Sequence, residues 1–320
     1  MPVLSHTEYK PGFPFTSGHF NSIYSHFARR TESVKYTRER LNTPDNDFLD
    51  IDWVKANNDK LIILCHGLEG SSDSNYIKEY ANGFSQLGFD IAAVNYRGCS
   101  GEMNLLPRLY HSGSSDDLDA IIQQIGLGYN SIDLIGFSLG GNMCLKYLGE
   151  QVFSIPENLR SCIAMSPPTD LEATCHQILK KQNWFYERRF KVSLMEKLTQ
   201  KAKQFPDKLN IDQLKEAKNI LLIDDLFTAP MHGFKDAVDY YTNCSSKQFI
   251  PAITHPCLII TSIDDPFLAL EAIPYEEAKA NDNVYLYPCN YGGHVGFHQR
   301  GNKQSWMLEK SIEFILQQNN

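Results

Sequence analysis

The chain has 320 residues, of which 42% are hydrophobic and 21% charged, and carries a net charge of −8. That length buries a large core and suits one large domain, or one domain carrying an insertion. The negative balance excludes general electrostatic attraction to nucleic acid, and no apolar run reaches the roughly 18–20 residues of a transmembrane helix.

The opening stretch, Met1-Pro2-Val3-Leu4-Ser5-His6, has neither a basic n-region nor an apolar h-region, so no signal peptide is expected. The first 30 residues are rich in Pro, Gly, Phe and His and read as irregular. Val34 to Leu41 and Phe48 to Val54 read as strands. In the second, Leu49, Ile51 and Trp53 alternate with Asp50 and Asp52, which predicts that the two carboxylates face solvent. Leu61 to Cys65 is continuously apolar, the pattern of a strand buried on both faces. Ile77, Tyr80, Ala81, Phe84 and Leu87 recur at helical spacing, behind Ser74 or Asp73 as N-cap. Ile91 to Val94 is a further strand. Leu118, Ile121, Ile122 and Ile125 predict a helix that stops at Gly126. Strands are expected at Ile132 to Phe137, Cys162 to Met165, Cys257 to Thr261 and Val284 to Tyr287. Helices are expected from Asn142 to Leu148 and from Trp306 to Gln317. Strands alternating with helices imply a mostly parallel central sheet flanked by helices on both faces.

The stretch from about 168 to 251 breaks that rhythm. It has much helical pattern and no clear buried strand, and it separates two core strands, so it reads as an inserted helical cap. The expected division is a core of 1–167 and 252–320 with a cap of 168–251. From His176 to Lys203 the insertion is basic, with Trp184, Phe185, Tyr186 and Phe190 interleaved among the cations. Two readings fit: an amphipathic helix with a solvated charged face, or contact with an anionic head group or membrane surface. None of the eight cysteines forms a Cys-x-x-Cys pair, and several lie in apolar strands. Reduced thiols in a cytoplasmic protein are expected.

Chemistry concentrates at Gly136-Phe137-Ser138-Leu139-Gly140. A strand, a sharp turn and a helix put a serine at the tip, with helix N–H groups aimed at the same spot. A serine hydroxyl needs a base, usually histidine, and the histidine needs a carboxylate to fix its tautomer. His294 lies between glycines just after the last strand and is the candidate base. Its i, i+4 partner His298 suggests zinc, but the glutamate of His-Glu-x-x-His is missing and Gly296 opposes a helix. Asp264-Asp265-Pro266 follows the strand ending at Thr261. Both aspartates are candidates, and Asp265, with its following proline, is the preferred acid. Backbone N–H groups of Leu139 and of Leu68, in His66-Gly67-Leu68-Glu69-Gly70, are the candidate oxyanion donors. Arg97-Gly98-Cys99-Ser100-Gly101 lacks the Gly-Lys-Ser/Thr ending of a phosphate loop and reads as a structural turn.

With these motifs the sequence resembles the YheT-like branch of the α/β-hydrolases. The resemblance rests further on Tyr110-His111-Ser112-Gly113, Phe227-Thr228-Ala229-Pro230-Met231-His232-Gly233-Phe234 and Gly292-Gly293-His294-Val295-Gly296-Phe297, and it spans nearly the whole chain. It implies an α/β-hydrolase fold and a carboxylic-ester hydrolase with Ser138, Asp265 and His294 as its catalytic residues. The expected activity is hydrolysis of short- to medium-chain esters, acylglycerols among them, with no metal or organic cofactor. The alternatives are acyl transfer from acyl-CoA to an alcohol and a non-catalytic binding member of the fold. The expected partner is a small-molecule ester, with neither nucleic acid nor an integral membrane segment; oligomeric state is not legible.

Overall fold

The computed structural model describes residues 3–4, 9–29 and 31–318. Of Met1 to His6, over which no signal peptide is expected, residues 1–2 and 5–6 lie outside the described residues. Eight strands form one sheet: β1 (Thr37–Asn42), β2 (Phe48–Val54), β3 (Lys60–Cys65), β4 (Asp90–Asn95), β5 (Ser131–Phe137), β6 (Leu159–Met165), β7 (Cys257–Ser262) and β8 (Val284–Cys289). Their order is β1-β2-β4-β3-β5-β6-β7-β8. β2 pairs antiparallel with both its neighbours, and every other pairing is parallel.

The continuous apolar strands are buried on both faces because helices cover both. Leu61, Ile63 and Cys65 point to one side, where the helices Ser115–Ile125 and Leu139–Gly149 bring Leu118, Ile122, Met143 and Leu148. Ile62 and Leu64 point to the other, against Ile77, Tyr80 and Phe84 of Asn75–Ser85 and Met307, Leu308 and Ile315 of Trp306–Gln318. Each such aliphatic or aromatic side chain, once fully buried, contributes about 1.5–3 kcal/mol. Leu87, read as part of the Asn75–Ser85 helix, lies beyond its end and is exposed.

Three further expectations need correction. The first 30 residues are not irregular throughout. A helix, Gly18–Ile23, starts where the Ser17 side chain accepts the Phe20 N–H, and a π-helical turn, Tyr24–Ala28, continues it. Six residues are too few for a periodic signal. The first strand begins at Thr37 rather than Val34. Asp50 and Asp52 do not face solvent. The alternation is real, but β1 lays Arg40 and Arg38 over that face, and both carboxylates are buried in bidentate pairs. Burial alone would raise the pKa of Asp52; bonds from Arg38, Ser72 and Asn95 outweigh it and hold the carboxyl below its ordinary range.

Between β6 and β7 the chain is helix and turn throughout, with Leu171–Ile178, Trp184–Gln204 and Ala237–Cys244 as its longer helices. All eight cysteines are buried and unbridged. Among the described residues no helix is long and apolar enough to cross a membrane.

Candidate active site

Parallel strands deliver their C-terminal ends to one edge of the sheet, and the predicted site residues gather there. Ser138 alone separates β5 from the helix Leu139–Gly149. Its backbone sits at φ 51°, ψ −119°, a region that a serine adopts only when its surroundings impose it. The two flanking glycines permit the turn. A Cβ on Gly136 would lie 2.4 Å from the Gly140 carbonyl oxygen, and one on Gly140 would lie 2.4 Å from that of Cys65. The Ser138 N–H donates to the Met165 carbonyl at 2.7 Å, which locks the tip to β6.

The His294 imidazole reaches Ser138 from the loop after β8. Nε2 lies 2.8 Å from Ser138 Oγ, and Nδ1 lies 2.8 Å from Asp265 Oδ2. An acceptor-only carboxylate at Nδ1 makes that nitrogen the N–H and leaves Nε2 as the acceptor for the serine hydroxyl. The other Asp265 oxygen accepts N–H bonds from Phe267 and Leu268. Asp264 does not reach the imidazole. Its Oδ1 accepts the Gly293 N–H at 2.9 Å and so holds the loop that carries His294. Val295 and Phe297 both have positive φ, so His294 and His298 do not share a helix.

The His66–Gly70 loop follows β3 and borders Ser138. The N–H of Gly67 donates to the Tyr76 hydroxyl, that of Glu69 to the Tyr110 hydroxyl and that of Gly70 to the Gly67 carbonyl. Among the described residues the Leu68 N–H has no such partner. The Leu139 N–H, at the first position of its helix, is likewise open. Both residues line the cavity that contains Ser138. His66 braces this loop. Its Nε2 accepts the Tyr96 N–H, which leaves the proton on Nδ1 to donate to the Gly67 carbonyl at 2.7 Å. Burial pushes its pKa down to about 3, so the ring stays neutral.

The signature of the alpha/beta hydrolase fold family matches residues 60–300. The chain belongs to the α/β-hydrolase family. YheT of Escherichia coli (strain K12), named as a candidate esterase, is 34% identical over 92% of this hydrolase and 88% of its own length. Phospholipase ABHD3 of Homo sapiens is 30% identical over 92% of this chain and 75% of its own. A solved structure of the Pyrococcus furiosus esterase Pf2001 superposes with a TM-score of 0.59 at 18% identity, covering 91% of this chain and 99% of that one, a likeness of fold.

Several residues that support the site in this α/β-hydrolase carry no motif. Ser22 Oγ accepts the His294 N–H at 2.8 Å, Ser25 Oγ donates to the Val295 carbonyl, and Ser166 Oγ accepts the Val295 N–H. The short helix Gly18–Ile23 supplies the first of these, and a Cβ on Gly18 would collide with the Asp264 carbonyl at 1.9 Å. Two cavities meet at Ser138. One, of about 110 Å³, is walled by Leu139, Leu171, Ile178, Leu194 and Ile220, with Asp224 beside Tyr241. Burial raises the Asp224 carboxyl to about 6. The other, of about 90 Å³, is lined by Ile23, Ser25, Phe27, Tyr76, Arg189 and Val295, and His294 borders both. A larger groove of about 780 Å³, beside Arg29, Glu79 and His298, contains none of the predicted site residues.

Proposed function

We propose that the protein is a serine carboxylesterase acting on short- to medium-chain esters through an acyl-enzyme on Ser138. The observation that carries this reading is the unbroken chain of contacts from Ser138 Oγ through His294 to Asp265, with 2.8 Å at each link. Ser138 Oγ attacks the ester carbonyl while His294 Nε2 takes its proton. Asp265 stabilises the imidazolium. The carbonyl electrons move to an oxyanion that accepts the Leu68 and Leu139 N–H groups. Collapse of this intermediate breaks the ester bond, and His294 returns the proton to the departing alcohol. Water then attacks the acyl-enzyme with the same base and releases the acid and free Ser138.

The apolar cavity suits the acyl chain, and its small volume favours short and medium chains. With the acyl chain in the apolar cavity, the second cavity, which His294 also borders, takes the alcohol, whose leaving oxygen receives its proton from Nε2. The relatives named a candidate esterase and a phospholipase, and a Saccharomyces cerevisiae monoacylglycerol lipase at 27% identity, support ester substrates, acylglycerols among them. In this reading 168–251 is a cap over a core of 1–167 and 252–320, and the buried free thiols favour a reducing, cytoplasmic setting.

The test is a fluorophosphonate probe together with a p-nitrophenyl ester series. Ser138→Ala is expected to abolish labelling and to lower kcat by roughly 10⁶, as loss of a triad nucleophile does in other enzymes. Labelling of the variant at the wild-type rate would overturn the assignment.

A further inference from the structure

The helix Trp184–Gln204 is polar in composition, yet one of its faces departs from a solvated charged surface. Trp184, Arg188 and Val192 repeat every four residues, and Phe185 and Arg189 lie beside them on the same side. The opposite side packs inward through Tyr186, Phe190 and Leu198. On the outer side Trp184 is 62%, Phe185 44% and Val192 47% exposed. The N-terminal segment extends this face. Phe27 is 55% exposed, its ring centroid lies 6.2 Å from that of Phe185, and the Arg189 guanidinium stands 5.1 Å over it. Phe27 and Arg189 also line the mouth of the cavity that opens on Ser138 and His294.

The charge on this face is one-sided. Arg188 and Arg189 make no ion pair among the described residues, nor do Lys180 and Lys181 just before the helix. Glu187 has one oxygen buried in the protein, and the first acid on the outer stripe is Glu196, one turn beyond Val192. A chain of net charge −8 has therefore gathered uncompensated cations around exposed aromatic rings at the entrance to its site. Water is a poor neighbour for such rings. The boundary between lipid head groups and acyl chains suits both components, taking the rings into the apolar layer and leaving the cations among phosphates.

We propose that this face, centred on Trp184, Phe185, Arg188 and Phe27, docks the protein on an anionic lipid surface and presents the mouth of the Ser138 cavity to it. The proposal goes beyond the esterase reading and does not depend on turnover. Docking by itself needs no catalysis, so the Ser138→Ala variant binds as the parent does.

Trp184 is its own reporter, because Trp53 and Trp306, the remaining tryptophans, are buried. Vesicles of phosphatidylglycerol mixed with phosphatidylcholine should blue-shift the tryptophan emission and sediment the protein, and pure phosphatidylcholine vesicles should do so far more weakly. The double change Lys181→Gln with Arg188→Gln is expected to weaken partitioning into the anionic vesicles about 25-fold, from roughly 1 kcal/mol per basic side chain at the surface. Trp184→Ser with Phe185→Ser should abolish binding while hydrolysis of a soluble short-chain ester is unchanged, which also shows that the variant is folded. An absence of any shift with anionic vesicles would overturn the proposal. So would a shift that grows with protein concentration alone, the sign of a second copy covering the face.

Discussion

Ser138 and Asp224 show how single side chains are set by what surrounds them. The serine is held at positive φ by a bond to β6 and by two glycines that let the backbones touch, and its hydroxyl stands 2.8 Å from His294 Nε2 where the two cavities meet. Asp224 lines one of the two cavities that meet there, where burial raises its carboxyl to about 6 against the lowering effect of hydrogen bonds from the Tyr241 and Thr228 side chains. The sign of the pH effect follows. Below the ordinary carboxyl range the group is protonated in both folded and unfolded chains and costs nothing. As pH rises past about 6, folding must bury a charge that the unfolded chain keeps hydrated. Asp224→Asn, which still accepts from Tyr241, is therefore expected to stabilise the protein by up to ~3 kcal/mol at neutral pH. Thermal melts at pH 7 and pH 4 check this: a gain at pH 7 that disappears at pH 4 is the expected pattern. Ser138, Asp265 and His294 were legible as candidates because each follows a strand end in a recognisable local run. Ser22 and Ser25 were not, since a serine in a six-residue helix or in the π-helical turn after it has no signature and acquires its role only through a contact about 270 residues away.

At the scale of elements, the helix Trp184–Gln204 is tied to the loop that carries Leu68. Glu69, at φ 55°, accepts from Lys197 Nζ at 2.9 Å, from the Tyr110 hydroxyl at 2.8 Å and from Ser193. Lys197 is largely buried and also meets the Cys99 thiol at 3.1 Å. Position of the Leu68 N–H thus depends on a helix from the segment between β6 and β7. Lys197→Met is expected to lower kcat about tenfold with KM within about twofold, a smaller loss than the roughly 100-fold or more that follows removal of an oxyanion donor. Steady-state kinetics on a soluble ester separate this from a binding role, which would move KM instead. The basic, aromatic character of the helix was visible in sequence. Which residues turn outward was not, because it depends on the direction from which the core receives the helix.

At the scale of the whole molecule, Arg97 joins three regions. Its guanidinium pairs with Asp117 at the start of the helix Ser115–Ile125 and with Asp45 and Asp47 in the turn between β1 and β2, and it is fully buried. A guanidinium so engaged is not open to a phosphate, which agrees with the structural reading of that turn. Arg97→Met takes the paired cation from buried Asp47 and leaves buried Asp117 with only the longer Arg108 contact at 3.6 Å, and is expected to cost roughly 3–5 kcal/mol. Urea unfolding would register this as a lower midpoint with an unchanged slope.

The order of strands and helices, the sharp turn at Ser138 and the strand-end positions of Asp265 and His294 follow from the sequence alone, because each depends on neighbours a few residues apart. Burial of Asp50 and Asp52, the choice of Asp265 over Asp264 as the partner of His294, and the pairing of Glu69 with Lys197 were decided by the folded chain. Each of these turns on which distant side chain closes over a group. A local pattern fixes the direction in which a residue points, and only the assembled core supplies what it meets there.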